Sequence, residues 1–309
     1  MSYKKLIFPI IVIIICISGL IFTFNSAELE TSLFKPRYLI IYFLFSVFYL
    51  FLAAMRTPII LGIKHYIKSF WIHRMALVVG SPTPVKLGIP VKIYLFKKYL
   101  NISIVKTTSA ILYESLNRIL VLVVLGILFG GWQYLLKAKI SVYLLVPIFT
   151  VIIVLMLIIN SKTVDFIDRI KSKISAFRNE FKGIFSNGRL FLLITSIQII
   201  VQLIFIVRIN LLLNSIGIES LTLLQISRVV ITTGLITTIS MIPGGYGIKD
   251  ISMVYLLGVE GLDYPNAILV SLSDRSLQIG ISMILGIFAS LYFANINRKE
   301  GLNSINASK

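Results

Sequence analysis

Six apolar runs, at residues 6–24, 38–55, 107–129, 141–160, 190–213 and 266–294, dominate this chain. Each approaches or exceeds the roughly 20 residues a helix needs to cross the hydrocarbon core of a bilayer. In hydrocarbon no water can satisfy backbone N–H and C=O groups, so each run must satisfy its own, as a helix does. Composition agrees: 57% of residues are hydrophobic and 14% charged, with mean hydropathy +0.95. A soluble domain carries about 25% charge. No polar stretch is long enough to build a separate core, so residues 1–309 are read as one all-α, polytopic integral membrane domain. Lys4 and Lys5 precede the first run, which is longer than an ordinary signal-peptide core and lacks a clear cleavage site, so it is read as an uncleaved span.

The 30 Lys and Arg against 12 Asp and Glu give a net charge of +18. Most of the basic residues fall in segments 56–106 and 161–189 and near the two termini. Alternating these segments with the runs places them on one side, as the positive-inside rule requires. Both termini are then cytoplasmic, in the plasma membrane, and 161–189 is a basic cytoplasmic connector. No basic block lies outside the membrane-flanking segments, so a nucleic-acid partner is not expected; affinity for anionic lipid is. Cys16 is the lone cysteine, and no His, Cys or carboxylate cluster has metal-ligand spacing, so neither disulfide, metal nor cofactor is expected.

Two regions do not fit simple spans. Residues 242–250 read Ile-Pro-Gly-Gly-Tyr-Gly-Ile-Lys-Asp, a cluster of helix breakers followed by two charges. The apolar stretch after it, 251–257, is about 10 Å of helix, too short to cross. Segment 56–106 has short apolar stretches at 75–79 and 89–96 around a Gly/Pro-rich break at 80–88, with 59–71 read as interfacial. Both are read as re-entrant helical hairpins, since broken backbone at membrane depth requires shelter by protein or a water-filled cavity. Pro84 and Gly88-Ile89 match Pro243 and Gly247-Ile248 as Pro-x-x-x-Gly-Ile, and Gly88-to-Arg118 and Gly247-to-Arg275 are 30 and 28 residues. The halves, roughly 1–130 and 141–294, then form an inverted repeat of about six full spans plus two hairpins, an architecture transporters use for alternating access.

Charges inside spans are costly and are functional candidates by default. Glu114 and Arg118 are four apart on one helix face and can pair; Asp274 and Arg275 occupy the matching place in the second half. Lys249 and Asp250 cap the second tip, and Arg118, Arg275 and Lys249 are read as partners of a lipid phosphate, which the planar guanidinium suits. The competing reading for all of these is a structural ion pair that fixes helix contacts. Gln198 and Gln202 share a face, and Gln278 lies a turn from Asp274. Arg208 and Arg228 are expected to snorkel from span ends, and His65 and His73 to lie at the surface. No zinc-protease helix, nucleophile elbow or Walker loop occurs, so an enzyme is not expected.

The stretch from Pro243 to Asp250, the following Gly258-Val259 and Arg275 in the last span resemble the lysylphosphatidylglycerol synthase transmembrane-region family, the flippase-like domain proteins. The family pattern is Pro-Gly-Gly-Leu-Gly-Val-Arg-Glu, then Gly-Val, then a span Arg. Pro84, Gly88, Lys92 and the span with Glu114 resemble its upstream motif. This chain departs from the pattern with Ile89 and Asp250 at the two motif glutamates, with Lys92 for Arg, and with Ser115 after Glu114. The resemblance implies lipid translocation or association with envelope-lipid enzymes. The aminoacyl-transferring domain of the lysyl-lipid enzymes is not in this sequence, so synthase activity is not implied.

The reading is therefore a protein that moves or binds an anionic lipid or polyprenyl-phosphate-linked carrier. Its expected headgroup path is Glu114, Arg118, Pro243, Gly244, Gly245, Gly247, Lys249, Asp250, Asp274 and Arg275, with Pro84, Lys86, Gly88 and Lys92 in the first hairpin. The alternative is a non-transporting membrane partner of an envelope glycosyltransferase or lipid-modifying enzyme.

Overall fold

The computed structural model describes residues 35–80, 88–131, 133–134, 166–240 and 247–307. Among them the secondary structure is helical throughout: α1 Pro36–Leu61, α2 Tyr66–Gly80, α3 Gly88–Leu100, α4 Ile104–Leu128, α5 Phe166–Ser186, α6 Gly188–Ser215, α7 Leu223–Ile239, α8 Ile248–Val259 and α9 Tyr264–Ala307. Helices α1, α4 and α6 and the Tyr264–Ile296 part of α9 are long and apolar enough to cross a membrane. These are four of the six expected spans; runs 6–24 and 141–160 lie outside the described residues. So do the tips of both expected hairpins, and with them Pro84, Lys86, Pro243, Gly244 and Gly245.

Local chemistry sets the helix ends. Pro36 starts α1, where its missing N–H costs nothing, and Gly62 ends it in the left-handed region at φ 67°. The Ser103 and Asn187 side chains accept from the Lys106 and Leu190 amides at 3.2 and 3.1 Å, and Thr222 with Gln225 forms a capping box on α7. Gly247 precedes α8 at φ 78°, a conformation that favours glycine. Three expectations need correction here. Helix α1 runs past Met55 to Leu61, so 59–71 is not one interfacial helix. Residues 75–79 and 89–96 are parts of longer helices. Arg56, Arg74 and Lys92, placed outside the membrane by charge counting, are buried at 7%, 1% and 7% exposure.

Helices α1 and α6 are the central neighbours. They run antiparallel, with the Lys35 amide at the start of α1 donating to the Ser215 carbonyl at the end of α6 at 3.1 Å. Around them α2 pairs with α3 and α7 with α8; α3 meets α4 and α8 meets α9; α2 crosses to α9 and α7 crosses to α4. Exchanging α1–α4 with α6–α9 maps these neighbours, and every other major helix contact outside α5, onto one another. The main core, including Leu122, Ile209, Val229, Leu257 and Val270, draws on α4, α6, α7, α8 and α9. A smaller one joins Ile72, Leu95, Phe96 and Phe293. Outward residues are large and apolar, Leu128 at 72% and Leu192 at 66% exposure, as expected of surface that meets lipid rather than water.

The two crossed contacts use glycine alike. Gly126 on α4 lies 12 residues after Glu114, and Gly286 on α9 lies 12 after Asp274. A Cβ at Gly126 would touch Leu235 of α7 at 3.4 Å, whereas one at Gly286 would overlap Val78 Cγ2 of α2. Small residues let membrane helices approach closely. Gly286→Ala is therefore expected to destabilise the protein by about 1–3 kcal/mol, and Gly126→Ala by clearly less, read as unfolding in detergent. Equal effects would remove the close α2–α9 approach as the cause.

Candidate functional site

Two charged centres lie along α1 and α6. In the first, Glu114 of α4 receives Arg56 Nη2 from α1 at 2.8 Å and faces Lys92 Nζ from α3 at 3.7 Å. Thr57 Oγ1 donates to Glu114 at 2.8 Å and accepts from Lys92 Nζ at 2.8 Å. Arg56 also donates to the Ala53 carbonyl at 3.3 Å and to Gln198 Oε1 on α6. The sequence suggested that Glu114 pairs directly with Arg118. Its ion pairs are instead with Arg56 and Lys92, because α1 and α3 bring these cations to the carboxylate from other helices.

In the second centre, Asp274 of α9 accepts from Arg208 of α6 at 2.5 Å and from Lys249 of α8 at 2.9 Å. Tyr42 Oη from α1 and Gln278 Nε2 complete its shell at 2.8 and 2.5 Å. Arg208 is 1% exposed and its guanidinium lies over the rings of Tyr42, Tyr49 and Phe205 at 5.0–5.3 Å. The expected snorkelling of Arg208 is thus overturned: it is tied to Asp274 within the bundle. Beside it, Arg275 makes a forked contact with Asp250, Nε to Oδ1 at 3.1 Å and Nη2 to Oδ2 at 2.7 Å. Asp250 Oδ2 also accepts from the Gly247 amide at 3.2 Å, so it caps α8 and holds α9 at once. An open groove of about 350 Å³ between α8 and α9 adjoins this pair, with Asp250, Tyr255, Tyr264 and Ser271 in its otherwise apolar wall.

The two centres have one design. Each has a carboxylate on a long helix (Glu114 on α4, Asp274 on α9), an Arg on another long helix (Arg56 on α1, Arg208 on α6) and a Lys on the helix just before the carboxylate's (Lys92 on α3, Lys249 on α8). Each also reaches across, Arg56 to Gln198 of α6 and Asp274 to Tyr42 of α1. The sequence places Glu114 opposite Asp274, but it does not relate Lys92 to Lys249 and does not single out Arg56. The signal was a Lys and a carboxylate 22 and 25 residues apart in the two halves, each with an Arg upstream in the preceding long helix.

Elsewhere, Arg228 pairs with Glu260 at 2.9 Å, and Tyr134 also donates to that carboxylate. This joins the start of α7, the α8–α9 turn and the segment after α4, so Arg228 is also held rather than snorkelling. His65 is exposed as expected, but His73 is half-buried, with Nδ1 unpartnered. Among the described residues no group of three His, Cys, Asp or Glu could hold a metal ion.

Long apolar helices with outward apolar faces and ion pairs folded inward define a polytopic membrane protein with a polar interior. The chain belongs to the family described as the lysylphosphatidylglycerol synthase TM region, whose model matches residues 7–286, nearly its whole length. That family places it among lipid-related membrane proteins of the flippase-like kind. Comparisons with curated proteins and with solved structures find no match.

Proposed function

We propose that this protein binds an anionic membrane lipid, a phospholipid or a polyprenyl-phosphate-linked carrier, and moves its headgroup between leaflets. The observation that carries the reading is a surplus of inward cations. Among the described residues, Arg56, Arg74, Lys92, Arg118, Arg208, Lys249 and Arg275 outnumber the carboxylates grouped with them, Glu114, Asp250 and Asp274. Charge within a membrane bundle is expensive, and a surplus of one sign marks a place for ligands of the other. The groove beside Asp250 and Arg275 suits an acyl chain whose headgroup reaches this pair.

The self-mapping helix contacts and the antiparallel α1 and α6 support an inverted repeat, with α2–α3 and α7–α8 as re-entrant hairpins from opposite faces. In such a repeat, exchanging the conformations of the halves turns an inward-facing site outward. We place the protein in the cytoplasmic membrane with both termini inside, acting by binding and movement rather than by catalysis.

The test is reconstitution of the purified protein in liposomes, following labelled anionic lipids between leaflets. Movement is expected for at least one phosphate-bearing lipid. Arg275→Ala should abolish it while leaving expression intact, since the variant loses the forked contact to Asp250. Absence of movement for every lipid tried, with co-purification of a transferase, would favour the non-transporting partner role. Unchanged movement in Arg275→Ala would remove that residue from the path.

A further inference from the structure

Helix α8 is 12 residues long and packs antiparallel to the start of α9. Near its N-terminus Asp250 meets Arg275, and its backbone carbonyl accepts from Ser271 Oγ at 3.4 Å. Near its C-terminus a Cβ on Gly258 would lie 3.4 Å from the Tyr264 ring. Between these two contacts the groove follows about 12 Å of helix. Ile251, Val254 and Tyr255 form one wall, and Tyr264, Ile268 and Leu272 the other. Ile251, Tyr255 and Tyr264 are exposed, and this part of α9 belongs to its membrane-crossing segment, so the groove opens on the bilayer. The charged member of its wall is Asp250, at one end. The Asp250 side chain is 24% exposed and that of Arg275 9%, so the carboxylate screens the guanidinium from the groove. A lipid whose chain lies in the groove therefore meets a negative group first, with the positive one behind it.

We propose that the groove holds one acyl chain of an anionic phospholipid, and that Asp250 occupies in this conformation the place of that lipid's phosphate on Arg275. A guanidinium fork takes two oxygens from a carboxylate or from a phosphate in the same way. The exchange keeps Arg275 beside an anion throughout. It leaves Asp250 with the Gly247 amide, from which it accepts at 3.2 Å, and a carboxylate in the first turn of a helix is favourable. Both partners are thus provided for after the exchange. A phosphate brought to Asp274 would instead have to displace a 1% exposed carboxylate held by both Arg208 and Lys249. The site rests on the lipid-handling reading and gives Asp250 a definite sign: it competes with the lipid rather than helping to hold it.

The test measures binding, not movement. The full chain in neutral-detergent micelles is titrated with phosphatidylglycerol labelled on one acyl chain, and with a matched labelled diacylglycerol that lacks the phosphate. The parent chain is expected to prefer phosphatidylglycerol. Asp250→Asn should tighten phosphatidylglycerol by about tenfold and leave diacylglycerol unchanged, because the amide oxygen still accepts from Gly247 but no longer competes as an anion. A residue that only fastens α8 to α9 would act the other way and weaken both lipids. Arg275→Gln should remove the preference, and Arg275→Lys, which keeps the charge and loses the fork, should reduce it; the second serves if the first does not fold. Ile268→Trp, which narrows the groove, should weaken both lipids. A parent preference that Asp250→Asn leaves unchanged or lowers overturns the exchange while the lipid-handling reading stands. Equal binding of both lipids by the parent makes the groove a chain site without headgroup pairing and overturns it too. Binding of neither lipid overturns the groove site and counts against the lipid-handling reading as well.

Discussion

Asp274→Asn is expected to cost about 3–5 kcal/mol of stability, the usual penalty for removing one partner of a buried ion pair. Asp274 is the meeting point of four helices: it accepts from Tyr42 of α1, Arg208 of α6, Lys249 of α8 and Gln278 of α9. The neutral amide leaves Arg208, 1% exposed, without a counter-charge. Its NH2 group must also point a donor at groups that are themselves donors. Denaturant unfolding in detergent measures the loss. Arg208→Met and Lys249→Met combined with Asp274→Leu should recover most of it, since a buried ionic group replaced whole by apolar residues of similar volume is often neutral or stabilising. A loss under about 1 kcal/mol in Asp274→Asn would show that the Arg208 and Lys249 charges are compensated by some other group.

The spans were legible in the sequence because the bilayer removes alternatives: a 24-residue apolar run at 190–213 has little choice but helix, and α6 is Gly188–Ser215. Short helices were harder. Helix α2 carries Lys68, His73 and Arg74 among apolar residues, and such mixing reads as surface until α1, α3 and α9 are known to pack against it. Arg56 shows the limit most clearly. A cation followed two residues later by Pro58 looks like the end of a span, yet α1 continues through both to Leu61. Its partners Glu114 and Gln198 are 58 and 142 residues away, and no local pattern announces them. Local rules offered Arg118 to Glu114 instead; two partners from other helices prevailed. The Arg275–Asp250 fork follows from neither spacing nor pattern, although the sequence marks Arg275 as a charge in a span and Asp250 as one at the second tip. The sequence shows part of the costly set, Glu114, Arg118, Lys249, Asp250, Asp274 and Arg275, and the structure adds Arg56, Arg74, Lys92 and Arg208 to it and supplies the pairing.

Glu114→Gln should make the stability of the protein depend on added anions. Removing this carboxylate leaves Arg56 and Lys92 facing only Thr57, Gln198 and the introduced amide, and a stability loss of about 3–5 kcal/mol follows from the same reasoning as for Asp274. Here, however, a further cation, Arg118, lies four residues beyond the carboxylate, where the second centre has Gln278. With Glu114 neutralised the whole first-half group is cationic, so a bound oxyanion supplies the missing negative charge. Phosphate is expected to recover more stability in Glu114→Gln than in the parent chain, whereas in Asp274→Asn its effect should match the parent's. Unfolding midpoints of the three proteins across a phosphate series decide this. Lipid movement should nevertheless be lost in Glu114→Gln, because a site that holds its anion more tightly in one conformation releases it more slowly. Recovered stability together with undiminished movement would mean that Glu114 only holds α1, α3 and α4 together and takes no part in passing the headgroup.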